Sequence, residues 1–161
     1  MRDEIKQIEL KKKKLIENNN SIIISVNGDD VVDLGYAPYV FYENYYYIFV
    51  SELSTHVKLL LKQKVGTFMI INDETNSQNI WARIRLKFSA KIEVVIRDSE
   101  DFSIICEKIR YKHGKTMNLI KQFSDFHLIK IIPSRGTFIS GFGNAFNLEG
   151  QYLNVINKIR P

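Results

Sequence analysis

Two arginines near the middle of the chain, Arg83 and Arg85, have the residue type and spacing to bind an anion. They lie in the run from Ile80 to Leu86, where polar and apolar residues alternate, so the sequence predicts a strand with both arginines on one face. Two guanidinium groups on one face can bind a phosphate or a carboxylate through paired hydrogen bonds. The alternative, given equal weight, is a surface arginine that pairs with a nearby acid, namely Asp73, Glu74 or Glu93.

Hydroxyl groups precede a predicted helix that carries Leu53, Val57, Leu60 and Leu61. Ser51 and Ser54 are the candidate N-caps of this helix. Together with Thr55 they could add hydroxyl and backbone donors at a helix N-terminus, which is a favourable place for an anion.

The chain has three histidines, and their surroundings differ. His56 falls on the predicted helix, where it is either a hydrogen-bonded structural residue or a ligand contact. His113 ends a second predicted helix, where a cation suits the C-terminus. His127 lies in a predicted strand beside Asp125. Because no HExxH motif or His/Cys cluster is present, we expect no structural or hydrolytic metal site.

Glycines 141 and 143 flank Phe142 after a predicted strand. Positions without a side chain allow a ligand to approach the backbone closely, but the spacing alone favours a β-bulge or a tight bend in a barrel wall. Upstream, the break Pro133-Ser134-Arg135-Gly136 separates two apolar runs, Phe126 to Ile132 and Thr137 to Phe146. The sequence predicts that these two runs are separate, paired strands.

Length and composition limit the class of protein. The chain has 161 residues, which fits one domain, with an N-terminal helix within 1–20 and a C-terminal arm at 149–161. The single cysteine, Cys106, excludes an internal disulfide and a cysteine-based zinc site, and it fits a reducing, cytoplasmic location. No apolar run is long enough for a membrane span, and the N-terminus does not resemble a secretory signal.

The net charge of +5 is modest, and the only dense basic block is Lys11 to Lys14. This block lies in a helical pattern, so the simplest interpretation is a solvated helix face. Because no basic stripe with stacking aromatic residues accompanies it, we expect no nucleic-acid partner.

The predicted elements are mostly strands joined by hairpins. A helix at 3–18 precedes a strand at 21–26, and turns are predicted at Asn27-Gly28 and Glu43-Asn44. The run from Val31 to Tyr42 is predicted to be a strand interrupted by Gly35 and Pro38, and because Pro38 cannot donate to a ladder, this strand is an edge, bulged or broken there. A long β-rich run extends from Ile80 to Ile96. Five to seven strands with hairpin links favour a closed antiparallel barrel with flanking helices.

The order of several short segments resembles the HugZ/HutZ-type haem-utilisation family, part of the wider pyridoxamine-phosphate-oxidase-like group of flavin-binding split barrels. The resemblance extends from about Ser21 to Leu148. The segments that carry it are Ala37-Pro38-Tyr39-Val40, Ile48 to His56, Asp73-Glu74 with Ala82 to Leu86, Asp125-Phe126-His127-Leu128 and Gly141 to Ala145.

The resemblance implies a mainly β, six-stranded antiparallel Greek-key split barrel that forms a homodimer with ligand sites at the interface. It implies that haem binds there and is degraded with oxygen to release iron. The alternatives are an FMN-binding oxidoreductase and a haem carrier without activity. By this resemblance Arg83 or Arg85 would pair with a haem propionate or a flavin phosphate. Asp125 would neighbour the ligand across the dimer, and the glycine turn would lie against its flat ring.

One departure from the family concerns the iron. Haem-degrading members use a histidine near the C-terminus as the axial ligand, and this chain has no histidine after His127. We expect none of the three histidines to be an obligatory iron ligand, with His127 as the candidate for a contact with haem iron. The candidate ligand-binding residues are therefore Arg83, Arg85, His56, Asp125, Gly141, Gly143 and Ser51.

Overall fold

The computed structural model describes residues 1–161 and contains eight strands and four α-helices. In chain order they are α1 (Arg2–Asn18), β1 (Ser21–Asn27), β2 (Val32–Tyr42), β3 (Tyr45–Ser51), α2 (Thr55–Gln63), β4 (Val65–Ile71), β5 (Arg85–Val94), α3 (Glu100–His113), α4 (Thr116–Ile120), β6 (Phe126–Gly141), β7 (Asn144–Glu149) and β8 (Asn154–Lys158). Two single-turn 3₁₀ helices, Glu74–Asn76 and Ile80–Ala82, connect β4 to β5. No helix is long and apolar enough to cross a membrane.

Six strands form a closed antiparallel barrel. Their order is β3-β2-β1-β4-β5-β6, and pairing of β3 with β6 closes the ring. Two consecutive hairpins followed by the return of β4 to the free side of β1 give the Greek-key order. The expected six-stranded barrel is confirmed. β7 and β8 continue from β6 outside the ring, so the total of eight strands exceeds the expected five to seven.

The barrel interior follows from the two-residue period of the strands. In β1, Ile22, Ile24 and Val26 are buried, whereas the residues between them face outward. Aromatic rings fill the centre: the ring of Phe88 stacks on Tyr46 with a centroid distance of 5.0 Å and on Phe68 at 5.7 Å. The alternation in the sequence therefore fixes which side of each strand faces the core.

A smaller core lies outside the barrel, where α3 and α4 cover part of its outer surface. The side chains of Val40 and Phe49 pack there against Phe102 and Cys106. Burial raises the pKa of the Cys106 thiol to about 11. The helices cover the second half of β2 and leave the outer face of its first half bare.

Polar contacts fasten α1 to the end of the barrel. The Lys12 ammonium lies 2.7 Å from Glu9 Oε2 and donates to the carbonyl of Leu153, while Glu9 Oε1 accepts from the amide of Val155 at 2.9 Å. Lys12 is thus buried, so the predicted solvated face of the lysine run is wrong for this one residue. A buried ammonium needs such partners because an unpaired buried charge is costly.

β2 runs without a break, contrary to the predicted interruption at Gly35 and Pro38. Pro38 is the last residue of β2 that pairs with β1, and Tyr39 is the first that pairs with β3. The missing N–H of the proline therefore falls between two ladders, where its cost is small.

β6 is also continuous, so the prediction of two paired strands around Pro133 to Gly136 is wrong. Pro133 pairs with Ala90, where the register with β5 shifts, and a proline is tolerated at such a bulge. The reversal of the chain occurs later, at Phe142-Gly143, after which β7 pairs back along β6. The C-terminal tail is extended and forms β8.

We expect Phe88→Ala to lower the free energy of unfolding by about 3–5 kcal/mol, because it removes the central ring of the barrel and leaves a cavity. Urea denaturation measures the change. Tyr111→Ala is the control, since that ring is 87% exposed and its loss should change stability by no more than about 0.5 kcal/mol. Equal effects of the two substitutions would contradict the assignment of the core.

Candidate functional site

Arg83 and Arg85 do not share a strand face, contrary to the prediction. The side chain of Asn79 accepts a hydrogen bond from the amide of Trp81 at 3.0 Å and starts a 3₁₀ turn over Ile80–Ala82. β5 therefore begins only at Arg85. The two arginines are nevertheless neighbours, because Nη1 of Arg85 donates to the carbonyl of Arg83 at 2.9 Å.

The guanidinium of Arg83 is partly used within the chain. Its Nε donates to the carbonyl of Asn72 at 3.0 Å and Nη2 donates to the same oxygen at 2.5 Å. Its Nη1 lies 3.6 Å from Oε1 of Glu74, so the surface pair that the sequence offered as an alternative is present. These contacts fix the guanidinium in one orientation.

Arg85 has more donors to offer. No carboxylate lies within 4.0 Å of its guanidinium, and its one hydrogen bond, to Arg83, orients the group. In β5 the residues Leu86 and Phe88 are buried, so Arg85 points to the outer face of the barrel, between Ile71 of β4 and Ile139 of β6. It is the better placed of the two arginines to bind an external anion.

A polar cavity of about 390 Å³ opens beside Arg83. Asn72, Asn79, Ser140 and Gly141 also line it. The structure thus places Arg83 and Gly141, two candidate ligand-binding residues, beside one cavity, and their role in binding stays a prediction. The asparagines and Ser140 were missed because isolated amide and hydroxyl residues in a loop give no periodic signal.

The glycine turn has a conformational cause. Gly141 and Gly143 have φ angles of 153° and 70°, which L-residues with side chains rarely adopt. A Cβ atom on Gly141 would lie 4.0 Å from Asn144 Nδ2, and one on Gly143 would meet no atom within 4 Å. Nothing in the chain itself approaches this backbone closely, so the turn and the register shift at Ile139/Gly141 account for both glycines.

A second polar group forms where β3 ends and β6 begins. The hydroxyl of Ser51 donates to Oδ2 of Asp125 at 2.5 Å, and Nε2 of His127 lies 2.8 Å from Oε2 of Glu52. The backbone joins the same residues, since the amide of Glu52 donates to the carbonyl of Asp125 at 2.9 Å. Ser51, Asp125 and His127 are therefore together, and Glu52, which the sequence analysis did not select, completes the group.

These two groups are far apart in one chain. Phe126 pairs with Ser51 at the start of β6, and Ile139 pairs with Arg85 near its end. Thirteen residues at about 3.3 Å each separate the two positions by roughly 40 Å along the strand. The two groups therefore lie toward opposite ends of β6.

His56 lies in a third place. Its side chain is only 13% exposed, and Nδ1 is 4.0 Å from Oδ2 of Asp33. The Nε2 atom is buried without a hydrogen-bond partner. The ring rests on the backbone of Gly35, where a Cβ atom would be 2.2 Å from Cε1 of the ring. The role of His56 as a ligand contact remains a prediction, and its surroundings are those of an enclosed side chain.

His113 ends α3, as the sequence predicts, but its ring contacts a strand and not the carbonyls of its own helix. Its Nε2 lies 2.8 Å from the carbonyl of Tyr39 in β2. Burial lowers its pKa, and the hydrogen bond only partly opposes that effect. Beside it, burial lowers the pKa of Lys112 to about 8, although its ammonium donates to the carbonyls of Asn19 and Tyr39.

No family model matches the chain. It is 30% identical over 131 residues to the haem oxygenase HutZ of Vibrio cholerae, which is 81% of this chain and 74% of HutZ. A crystal structure of HutZ, described as a haem storage protein, superposes with a TM-score of 0.77 and 25% identity, covering 90% of this chain and 98% of HutZ.

ChuZ of Campylobacter jejuni superposes with a TM-score of 0.83 and 26% identity, over 93% of this chain and 61% of ChuZ. A pyridoxamine 5'-phosphate oxidase homologue from Listeria innocua gives a TM-score of 0.60 over 80% of this chain and 97% of that protein. At 14% identity, this last comparison shows the shared fold alone.

We expect Gly35→Ala to lower the free energy of unfolding by about 1–3 kcal/mol, because the added methyl group overlaps the ring of His56. Thermal unfolding followed by circular dichroism measures the effect. In a protein that already carries His56→Ala, the same Gly35→Ala change should cost less stability than it does when the His56 ring is present. Strictly additive effects would show that the two side chains do not compete for this space.

Proposed function

This chain belongs to the HutZ-type haem-utilisation family of split-barrel proteins, and we propose that it binds haem in a cleft formed by two copies of the chain. We propose further that the bound haem is degraded oxidatively to release iron. The observation that carries the proposal is the oriented guanidinium of Arg85, without a carboxylate partner, on the outer face of the barrel. Haem is a flat apolar ring with anionic propionates, and such a group binds that anion well.

The residues around Arg85 suit this ligand. Ile71 and Ile139 flank the arginine on the neighbouring strands, and both are half-buried. A flat apolar ring could rest on aliphatic side chains of this kind while its carboxylates reach the guanidinium groups. Arg83 and the polar cavity beside it would bind a second anionic or hydrogen-bonding group.

The bare half of β2 supports assembly with a second copy. Val32, Leu34 and Tyr36 point outward and are 67%, 67% and 70% exposed. Ile23 of β1 pairs with Tyr36 and with Met69 of β4, so the apolar row continues across three strands toward the strand that carries Arg85. A contiguous apolar surface of this kind is typical of an interaction site, and a two-fold dimer would bury it on both chains.

A dimer would also explain the separation of the two polar groups. Because Arg85 and Asp125 lie near opposite ends of β6, a ligand that contacts both would take them from different chains. Asp125 is already oriented by Ser51, so its carboxylate needs little further ordering. In this proposal Asp125, Ser51 and His127 of one copy face the arginines of the other.

Of the three histidines, only His127 is free to contact haem iron from the chain's surface. The Nε2 atom of His56 is buried, and His113 contacts the carbonyl of Tyr39. His127 is 28% exposed and its Nε2 contacts Glu52, an arrangement in which a carboxylate orients the ring and leaves Nδ1 for a metal. When bound, haem supplies the iron at which oxygen chemistry occurs, and we propose His127 as the contact on this chain.

FMN remains the second candidate, since the polar cavity beside Arg83 suits a phosphate as well as a carboxylate. Spectra of the protein distinguish the two ligands. Titration with haem should give a Soret band that saturates, whereas a yellow protein that binds FMN more tightly than haem would overturn the proposal. Decay of the haem spectrum with a reductant and oxygen would support degradation, and a stable spectrum would indicate a carrier.

We expect Arg85→Ala to weaken haem binding by roughly tenfold to a hundredfold, because a charge-assisted hydrogen bond contributes about 1.5–3 kcal/mol. The titration above measures the dissociation constant. Lys91→Ala is the matched control, since Lys91 is an exposed cation on the same strand face, six residues from Arg85 and away from the apolar row. If both variants bind haem like the unmodified protein, Arg85 is not in the site.

We expect Leu34→Asp to prevent dimer formation, because it places a charge in the centre of the apolar row on β2. Light scattering on a sizing column measures the mass. Leu119→Asp is the control, since Leu119 is also exposed but lies on α4, away from the row. A monomeric unmodified protein, or a Leu34→Asp variant that is still a dimer, would contradict the proposed interface.

A further inference from the structure

An open groove runs along α1 at one end of the barrel. Its volume is about 690 Å³, and its walls are α1, the hairpin between β2 and β3, and the connection between β7 and β8. None of the candidate residues for haem lines it. Its volume lies within the range of about 300–1,000 Å³ that is usual for small-molecule sites.

The groove is long and narrow in one direction. The residues of α1 that line it extend from Ile5 to Glu17, which corresponds to about 18 Å at 1.5 Å per residue. Tyr46 and Leu153 form a buried floor. An elongated ligand fits this shape better than a compact one.

The walls expose apolar groups that nothing in the chain covers. Leu10, Phe41 and Tyr152 are 54%, 41% and 51% exposed, and all three face the groove. The ring of Phe41 lies 4.8 Å from that of Tyr46, so one end of the groove has an aromatic wall. Covering these side chains would remove apolar surface from water, which is favourable in proportion to the area covered.

The charges at the rim leave a single cation without a partner. Glu9 uses both oxygens on Lys12 and the amide of Val155, and Lys13 lies 3.8 Å from Glu17. Lys6, near the start of α1, has no carboxylate within 4.0 Å. The end of the groove at Lys6 is therefore positive, whereas the charges toward Phe41, Lys13 and Glu17, are paired with each other.

We propose that this groove binds a linear amphiphile with one carboxylate, of the fatty-acid class. The carboxylate pairs with Lys6, and the aliphatic chain lies along α1 over Leu10 toward Phe41 and Ile16. The complementarity of one anion to one unpaired cation, and of a chain to an apolar trough of this length, determines the choice of ligand.

The test is isothermal titration calorimetry of the full chain with laurate, below the concentration at which laurate forms micelles. We expect saturable binding, and we expect Lys6→Glu to weaken it about tenfold or more, since a charge-assisted hydrogen bond is replaced by repulsion. Lys11→Glu makes the same charge change on an exposed part of α1 outside the groove and should have a much smaller effect. Equal effects of the two variants would overturn the proposal.

Two further arms complete the design. Leu10→Ser should weaken binding of laurate, and Leu119→Ser, an equally exposed leucine on α4, should not. Dodecylamine, the cationic analogue, should bind far more weakly than laurate, and comparable binding would overturn the role of Lys6. The groove could instead be filled by a second copy of the chain. Light scattering tests this, because a change in mass in Leu10→Ser would show that a second copy occupies the groove and would overturn the proposal.

The outcome is independent of the haem proposal. Arg85→Ala is expected to bind laurate like the unmodified protein, because Arg85 does not line the groove. Loss of laurate binding in Arg85→Ala would show that laurate occupies the haem cleft instead, and the proposal for the groove would then be wrong.

Discussion

The pairing of β3 with β6 is the interaction on which the rest of this structure depends. Without it the sheet would be open, and β3 and β6 would each leave a row of unpaired backbone groups at an edge. With it, six strands enclose an aromatic core and every barrel strand has two neighbours within the ring. β6 is long enough to continue past the point of closure and to pair with β7. One end of β6 therefore lies at the group of Ser51, Asp125 and His127, and the other end lies at Gly141, beside the cavity of Arg83.

Much of the fold could be predicted from the sequence, because the alternation of buried and exposed residues in β1 and the two-residue turn at Glu43-Asn44 are local signals. The failures have local causes too. The alternation from Ile80 to Leu86 imitates a strand, but the side chain of Asn79 starts a 3₁₀ turn there. Pro133 imitates a turn, but a shift in register accommodates it within one strand. Whether such a segment forms a strand, a capped turn or a bulge depends on which strands pair with it in the folded protein. A single sequence does not show that pairing.

The candidate site was predictable in part for the same reason. Residue type alone identified Arg83, Arg85 and Asp125 as possible ligand contacts, and the structure places Arg83 and Arg85 together and pairs Asp125 with Ser51. It could not show that the arginines and the aspartate lie near opposite ends of a strand, because that depends on β6 being continuous. The carbonyl of Arg83, which orients the key guanidinium, is equally invisible in a sequence, since every residue has one.

The single thiol of this protein has a practical consequence for tests of its assembly. Cys106 is buried, and because burial raises the pKa of its thiol to about 11, the thiol is protonated near neutral pH. Maleimides and other alkylating labels react with the thiolate, so Cys106 would not be labelled in the folded protein. A cysteine introduced on the bare half of β2 would then be the sole labelled position, and a spin label or fluorophore there would report the distance between chains without any need to remove the natural residue.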